Sequence, residues 1–125
     1  VPTATPTPAP TVSPPELDTP EDGSVFSGEE ATIELSWLGG DALRPNEYYV
    51  VRVRWTEDGA QAFTEVPRQS TSWFVDSSLY ARADLDAERL YFWSVRLARK
   101  ETDAEGSETY VPVSPFSEER SFDWK

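Results

Sequence analysis

The nine residues "YYVVRVRWT" (Tyr48–Thr56) carry the strongest structural signal in the chain. Valine, tyrosine, tryptophan and threonine occupy every position except Arg52 and Arg54, and such β-branched and aromatic side chains fit a pleated surface better than a helix. With successive side chains on opposite faces, Tyr49, Val51, Val53 and Trp55 share one side, and Tyr48, Val50, Arg52 and Arg54 the other. The first set is wholly apolar and belongs against a core. Asp58-Gly59 follows directly, a pair suited to a two-residue hairpin turn, so a second antiparallel strand should return alongside the first.

The same period of two recurs on both sides. "ATIELSW" (Ala31–Trp37) turns Ile33, Leu35 and Trp37 inward, and "LYFWSVRLA" (Leu90–Ala98) turns Tyr91, Trp93, Val95 and Leu97 inward. Weaker strand signals lie at Val25-Phe26, Phe63–Val66, Ser72–Asp76, Tyr110–Val113 and "RSFDWK" (120–125). Pro67 and its polar neighbours separate two of them. Between strands come turn signals: "PEDG" (20–23), "GGDALRPNE" (39–47) and the acidic hairpin tip "RKETDAEGSE" (99–108). Only "DSSLYARADLDAERL" (76–90) has helical character, and it is expected to be a structured loop or a single turn. Short strands about ten residues apart, with no long helix, predict an all-β antiparallel sandwich of about seven strands.

The beginning of the chain obeys different rules. "VPTATPTPAP" opens a segment in which Pro2, Pro6, Pro8, Pro10, Pro14 and Pro15 remove backbone donors, so extended polyproline II is expected rather than helix or central strand. We therefore divide the chain into an extended Pro/Thr-rich tail, residues 1–14, and a folded domain, residues 15–125.

Composition narrows the function. The formal charge of -12 disfavours nucleic acid and anionic lipid as partners. No apolar run is long enough to span a membrane. The chain contains no Cys and no His, which removes Ser-His-Asp and Cys-His nucleophile arrangements and thiolate- or imidazole-bound zinc. Carboxylate pairs such as Glu29-Glu30, Asp84 with Asp86, and Glu118-Glu119 are a statistical consequence of 23 acidic residues and read as solvated surface. Calcium loops around Asp84 with Asp86, or Asp103 with Glu105, lack the Asp-x-Asp-x-Asp-Gly pattern. The expectation is a protein that is not an enzyme, with no cofactor and no metal. Scarce Asn, absent Met and an excess of Arg over Lys agree with a warm habitat.

Taken in order, "SPPELDTPEDG", "IELSW", "YYVVRV", "LYFWSV" and "SPFSEERSFDW" resemble the fibronectin type III family and its immunoglobulin-like relatives over residues 15–125. Similar stretches occur as accessory modules of large bacterial surface and secreted proteins. The resemblance implies that Trp37 is the core tryptophan and that Tyr91 is the tyrosine that hydrogen-bonds across a corner of the sandwich. It also implies an extracellular or cell-surface location; the starting residue Val1 and the character of the tail add the expectation that a signal peptide has been removed. No Arg-Gly-Asp tripeptide is present.

Adjacent aromatics pose the remaining question. If Tyr49, Tyr91 and Trp93 enter the core, then Tyr48 and Phe92 lie outside with Val50, Arg52, Arg54 and Arg96, an aromatic and basic face on an acidic protein. Trp73 is expected to join them as a partner-binding ring, and Pro6, Pro8 and Pro10 as tail contacts. Alternatively the tail or loops of the same chain cover this face. Two functions follow. One is a non-catalytic structural or interaction domain at the cell surface, a subunit self-assembling into a filament through its tail or sheet edges, with other copies or another surface protein as partner. The other is a carbohydrate-binding or spacer module, with sugar on Trp73 or Tyr48 and O-glycosylation at Thr3, Thr5, Thr7 or Thr11.

Overall fold

The computed structural model describes residues 14–39, 43–84 and 89–125. The tail residues Val1–Ser13, with Pro6, Pro8, Pro10 and the four threonines, lie outside this set, as do part of the 39–47 loop and Asp86.

Among the described residues nine strands form two sheets: β1 (Glu16–Thr19), β2 (Ser24–Phe26), β3 (Glu34–Leu38), β4 (Glu47–Glu57), β5 (Ala60–Arg68), β6 (Ser72–Phe74), β7 (Leu90–Thr102), β8 (Glu108–Pro112) and β9 (Arg120–Trp124). The smaller sheet has the order β1-β3-β6; the larger runs β2-β9-β7-β4-β5, with β8 pairing the far half of β7. The protein is an all-β two-sheet sandwich. The expected number, about seven, is exceeded because both ends of the fold are interrupted: β1 and β2 lie in different sheets, and β8 and β9 divide the length of β7 between them. The pairing is not wholly antiparallel either, since β2 runs parallel to β9.

The inward positions of β3, β4 and β7 meet between the sheets. Ile33, Leu35, Trp37, Tyr49, Val51, Val53, Tyr91, Trp93 and Val95 are all buried, joined by Trp55, Trp73, Phe122 and Trp124. Leu97 is partly buried against the same cluster. Aromatic rings dominate the packing. Tyr91 stacks on Phe122 with centroids 5.3 Å apart, and Trp37 meets Tyr49 edge to face at 5.7 Å.

Local chemistry explains the connections. Asp58 and Gly59 both have positive φ, 52° and 79°, as a type I′ turn requires, and the carboxylate of Asp84 accepts both of their N–H groups at 2.8 Å. Asp84 is thus occupied in holding a turn. Asp103 plays the same part at the β7–β8 tip, accepting from Glu105 and Ser107 N–H. In 76–90 the only helical element among the described residues is a single 3-10 turn, Ser77–Leu79, capped by Asp76.

Past that turn, the buried Tyr91 hydroxyl donates to Leu79 O at 2.5 Å and accepts from Ala83 N at 3.1 Å and Arg82 N at 3.2 Å. At the other end of the fold, the Arg120 guanidinium donates to the carbonyls of Leu17, Asp18 and Pro20, tying β9 to the corner where β1 gives way to β2.

Pro67 does not end its strand, contrary to the expectation of two strands separated there. β5 continues through it to Arg68 because β5 is the edge of the large sheet. Glu57 and Ala60 close the two-residue hairpin, so Ala60, Ala62, Thr64, Val66 and Arg68 are the residues whose backbone bonds to β4. Gln61, Phe63, Glu65 and Pro67 direct theirs away from the sheet. The donor that proline lacks is one that β4 would not have used.

Candidate interaction surface

The outer face of the large sheet is assembled by register. Cross-strand pairing sets Tyr48 against Ala98, Val50 against Arg96, Arg52 against Ser94 and Arg54 against Phe92. On the other side, Arg52 lies opposite Glu65 and Arg54 opposite Phe63. Tyr48, Arg52, Arg54, Phe92 and Arg96 therefore do share one face, as their spacing predicts.

That face is covered from within the chain. Between β8 and β9 the backbone bulges through "SPFS" (114–117) while remaining attached to β7. The hydroxyls of Ser114 and Ser117 accept from Leu97 N and Val95 N, and the N–H groups of Ser114 and Ser117 return to the Leu97 and Val95 carbonyls. Serine oxygens substitute for the acceptors that a regular strand would supply. The bulge swings Phe116 over the sheet.

A stack of flat groups results. The Arg52 guanidinium lies 4.5 Å from the Phe63 ring centroid and 5.6 Å from that of Phe116, whose ring also receives Arg96 at 4.4 Å; Arg54 covers Phe92 at 4.4 Å. Guanidinium on aromatic face is attractive and hides apolar surface under a charged group. Tyr48 is spent on an edge-to-face contact with Tyr110. Beneath these groups Val50, Ser94 and Ala98 are buried.

The electrostatics of the face are equally internal. Glu119 takes two hydrogen bonds from Arg54, at 2.6 and 2.7 Å; these hold its carboxyl below the usual carboxylate range and raise the Arg54 pKa. Glu65 approaches Arg52 at 3.9 Å. The Nε atoms of Arg52 and Arg96 are enclosed without a hydrogen-bond acceptor among the described residues.

Two expected partner residues are corrected. Trp73 is 9% exposed and belongs to the core, because β6 pairs with β3 so that Trp73 lies opposite the fully buried Leu35; its neighbour Phe74, 57% exposed, is the outward ring. Val50 lies on the predicted face but is 3% exposed and offers nothing to a partner. Sequence spacing passed over Phe63, Phe116 and Glu119. For Phe116 and Glu119 the signal lay in and just after the serine-proline-aromatic-serine run (114–117) before the last strand; for Phe63 it lay in the parity of β5 relative to β4.

At the β5 end the large sheet leaves a long edge open. No strand lies beyond β5 among the described residues, and Phe63 in its middle is 57% exposed. Two clefts among the described residues lie elsewhere, one of about 430 Å³ beside the Asp58-Gly59 turn and one of about 410 Å³ at Pro14, Pro15 and Arg120. No group of three or more potential metal ligands occurs among the described residues, and no helix there is long and apolar enough to cross a membrane. No family model matches the chain, and no curated protein does.

Proposed function

We propose that the chain is a non-catalytic, extracellular interaction domain of fibronectin type III-like architecture that associates with other copies of itself through its Pro/Thr-rich tail and an open sheet edge. The observation that carries this reading is β5, a nine-residue strand that has no partner on one side among the described residues and an exposed phenylalanine at its centre. Edges of this kind accept a further strand unless something blocks them.

Three features support the architectural part. The strands reduce to seven positions when the interrupted first and last strands are each counted once. Trp37 is a core tryptophan, and Tyr91 makes corner hydrogen bonds to the segment leading into its strand. The rings expected to hold a sugar are otherwise engaged, Trp73 in the core and Tyr48 against Tyr110, which favours association over sugar binding.

The test compares the full chain with a variant lacking residues 1–13, by light scattering over a concentration series and by electron microscopy. Concentration-dependent assembly of the full chain, lost on deletion, is the expected result. Equal size for the two would refute tail-mediated association.

A further inference from the structure

The prolines of the tail are confined to one parity. Pro2, Pro6, Pro8, Pro10 and Pro14 all stand at even positions, whereas Thr3, Thr5, Thr7, Ala9, Thr11 and Ser13 retain their donors at odd ones. In an extended strand alternate residues direct their backbone groups to opposite edges, whichever way the partner strand runs. Laid out as a strand, this segment has one edge with every donor intact and an opposite edge from which proline has removed most of them. Polyproline II needs no such parity, because its backbone makes no internal hydrogen bonds and is fully solvated.

β5 has the complementary parity. Its outward residues, Gln61, Phe63, Glu65 and Pro67, recur every second position. Building on the reading above, we propose that residues Thr3–Thr11 of one copy add as an outer strand to the β5 edge of another, with the odd-numbered tail residues bonding to Gln61, Phe63 and Glu65. Cross-strand partners share a face, so the threonine methyls lie beside the exposed Phe63 ring. The prolines end the sheet at the outer side of the added strand, which halts further lateral growth. Each copy donates one tail and offers one β5 edge, a head-to-tail arrangement that yields a ring or a linear polymer.

Charge and length select this occupant over a second β5. Residues 1–15 contain no charged side chain, so the whole formal charge of -12 resides in the folded part. Two folded domains repel, and the tail is the portion of a neighbour that approaches without that cost. Thirteen residues reach roughly 40 Å when extended, more than the nine residues of an edge strand require.

Two variants test the pairing. Exchanging Thr7 and Pro8 (T7P/P8T) keeps tail composition and length but interrupts both edges, and it leaves the folded domain untouched. Glu65→Pro removes an outward donor without touching the β4 ladder. Both should abolish the assembly of the full chain in light scattering, and Glu65→Pro should keep a cooperative thermal transition; Pro8→Ala, which leaves the pairing edge intact, should assemble as the parent does. Assembly that survives T7P/P8T and Glu65→Pro but is lost on deleting residues 1–13 would overturn the β5 pairing while leaving tail-mediated association standing. A parent chain that remains monomeric at all concentrations would overturn both.

Discussion

Replacing Tyr91 by Phe removes one oxygen from a hydrogen-bonded corner of the sandwich and leaves the ring in place. The ring is fully buried, so its stack on Phe122 survives and no large cavity opens. Three hydrogen bonds disappear: the donation to Leu79 O and the acceptances from Ala83 N and Arg82 N. Their consequences differ with burial. Arg82 is exposed and its N–H can turn to water, whereas Ala83 and Leu79 are 1% and 6% exposed and leave a donor and an acceptor stranded. A typical net hydrogen bond is worth about 1 kcal/mol, and an orphaned buried group costs about 1–3 kcal/mol, so the substitution should destabilise by about 2–4 kcal/mol. For a domain of this size that corresponds to a fall in Tm of roughly 10–15 °C. Urea and thermal unfolding followed by circular dichroism measure it. Tyr49→Phe is the internal control, since the Tyr49 hydroxyl makes no comparable bonds to buried backbone among the described residues, and its loss should change stability by less than about 0.5 kcal/mol. A Tyr91→Phe effect below about 1 kcal/mol would refute the view that these bonds hold the corner.

Gly39 lies under the Tyr49 hydroxyl, and a Cβ there would meet that oxygen at 2.1 Å; Gly39→Ala should cost about 1–3 kcal/mol by overpacking, and Gly39→Ala with Tyr49→Phe should cost less than Gly39→Ala alone in a denaturation cycle. Trp73→Ala should lower stability by about 3–5 kcal/mol, as for a large core aromatic, while Phe74→Ser should leave the urea midpoint nearly unchanged. Because Arg54 holds the folded pKa of Glu119 below its unfolded value, that carboxylate stabilises the fold above the unfolded pKa and the contribution is lost as pH falls through the folded one. The difference in urea midpoint between the parent and Glu119→Gln should therefore be constant at neutral pH and shrink in acid; a difference that grows in acid would contradict the pairing.

Much of the core was legible in strict alternation. Where a strand is long and half buried, as in Tyr48–Thr56 or Leu90–Ala98, a one-residue slip would expose the entire apolar set, so the pattern leaves a single solution. It also placed Arg52, Arg54, Phe92 and Arg96 on a common outer face, because face is a property of parity alone. Short strands gave no such certainty. Trp73 and Phe74 are adjacent large aromatics in a three-residue strand, and only the pairing with β3 decides which enters the core.

Whether the outer face is open was beyond any local pattern. That depended on a bulge more than sixty residues along the chain from Arg52, where Ser114 and Ser117 replace backbone acceptors and bring Phe116 and Glu119 back across the sheet. By itself the amino-acid order determined strand faces, the hairpin turn and the donor parity of the tail, since each depends on neighbouring residues. Burial of Trp73, closure of the arginine face and the place of β5 at the end of the large sheet among the described residues were decided by tertiary structure, because contacts between distant segments choose which surface is shielded and which edge remains.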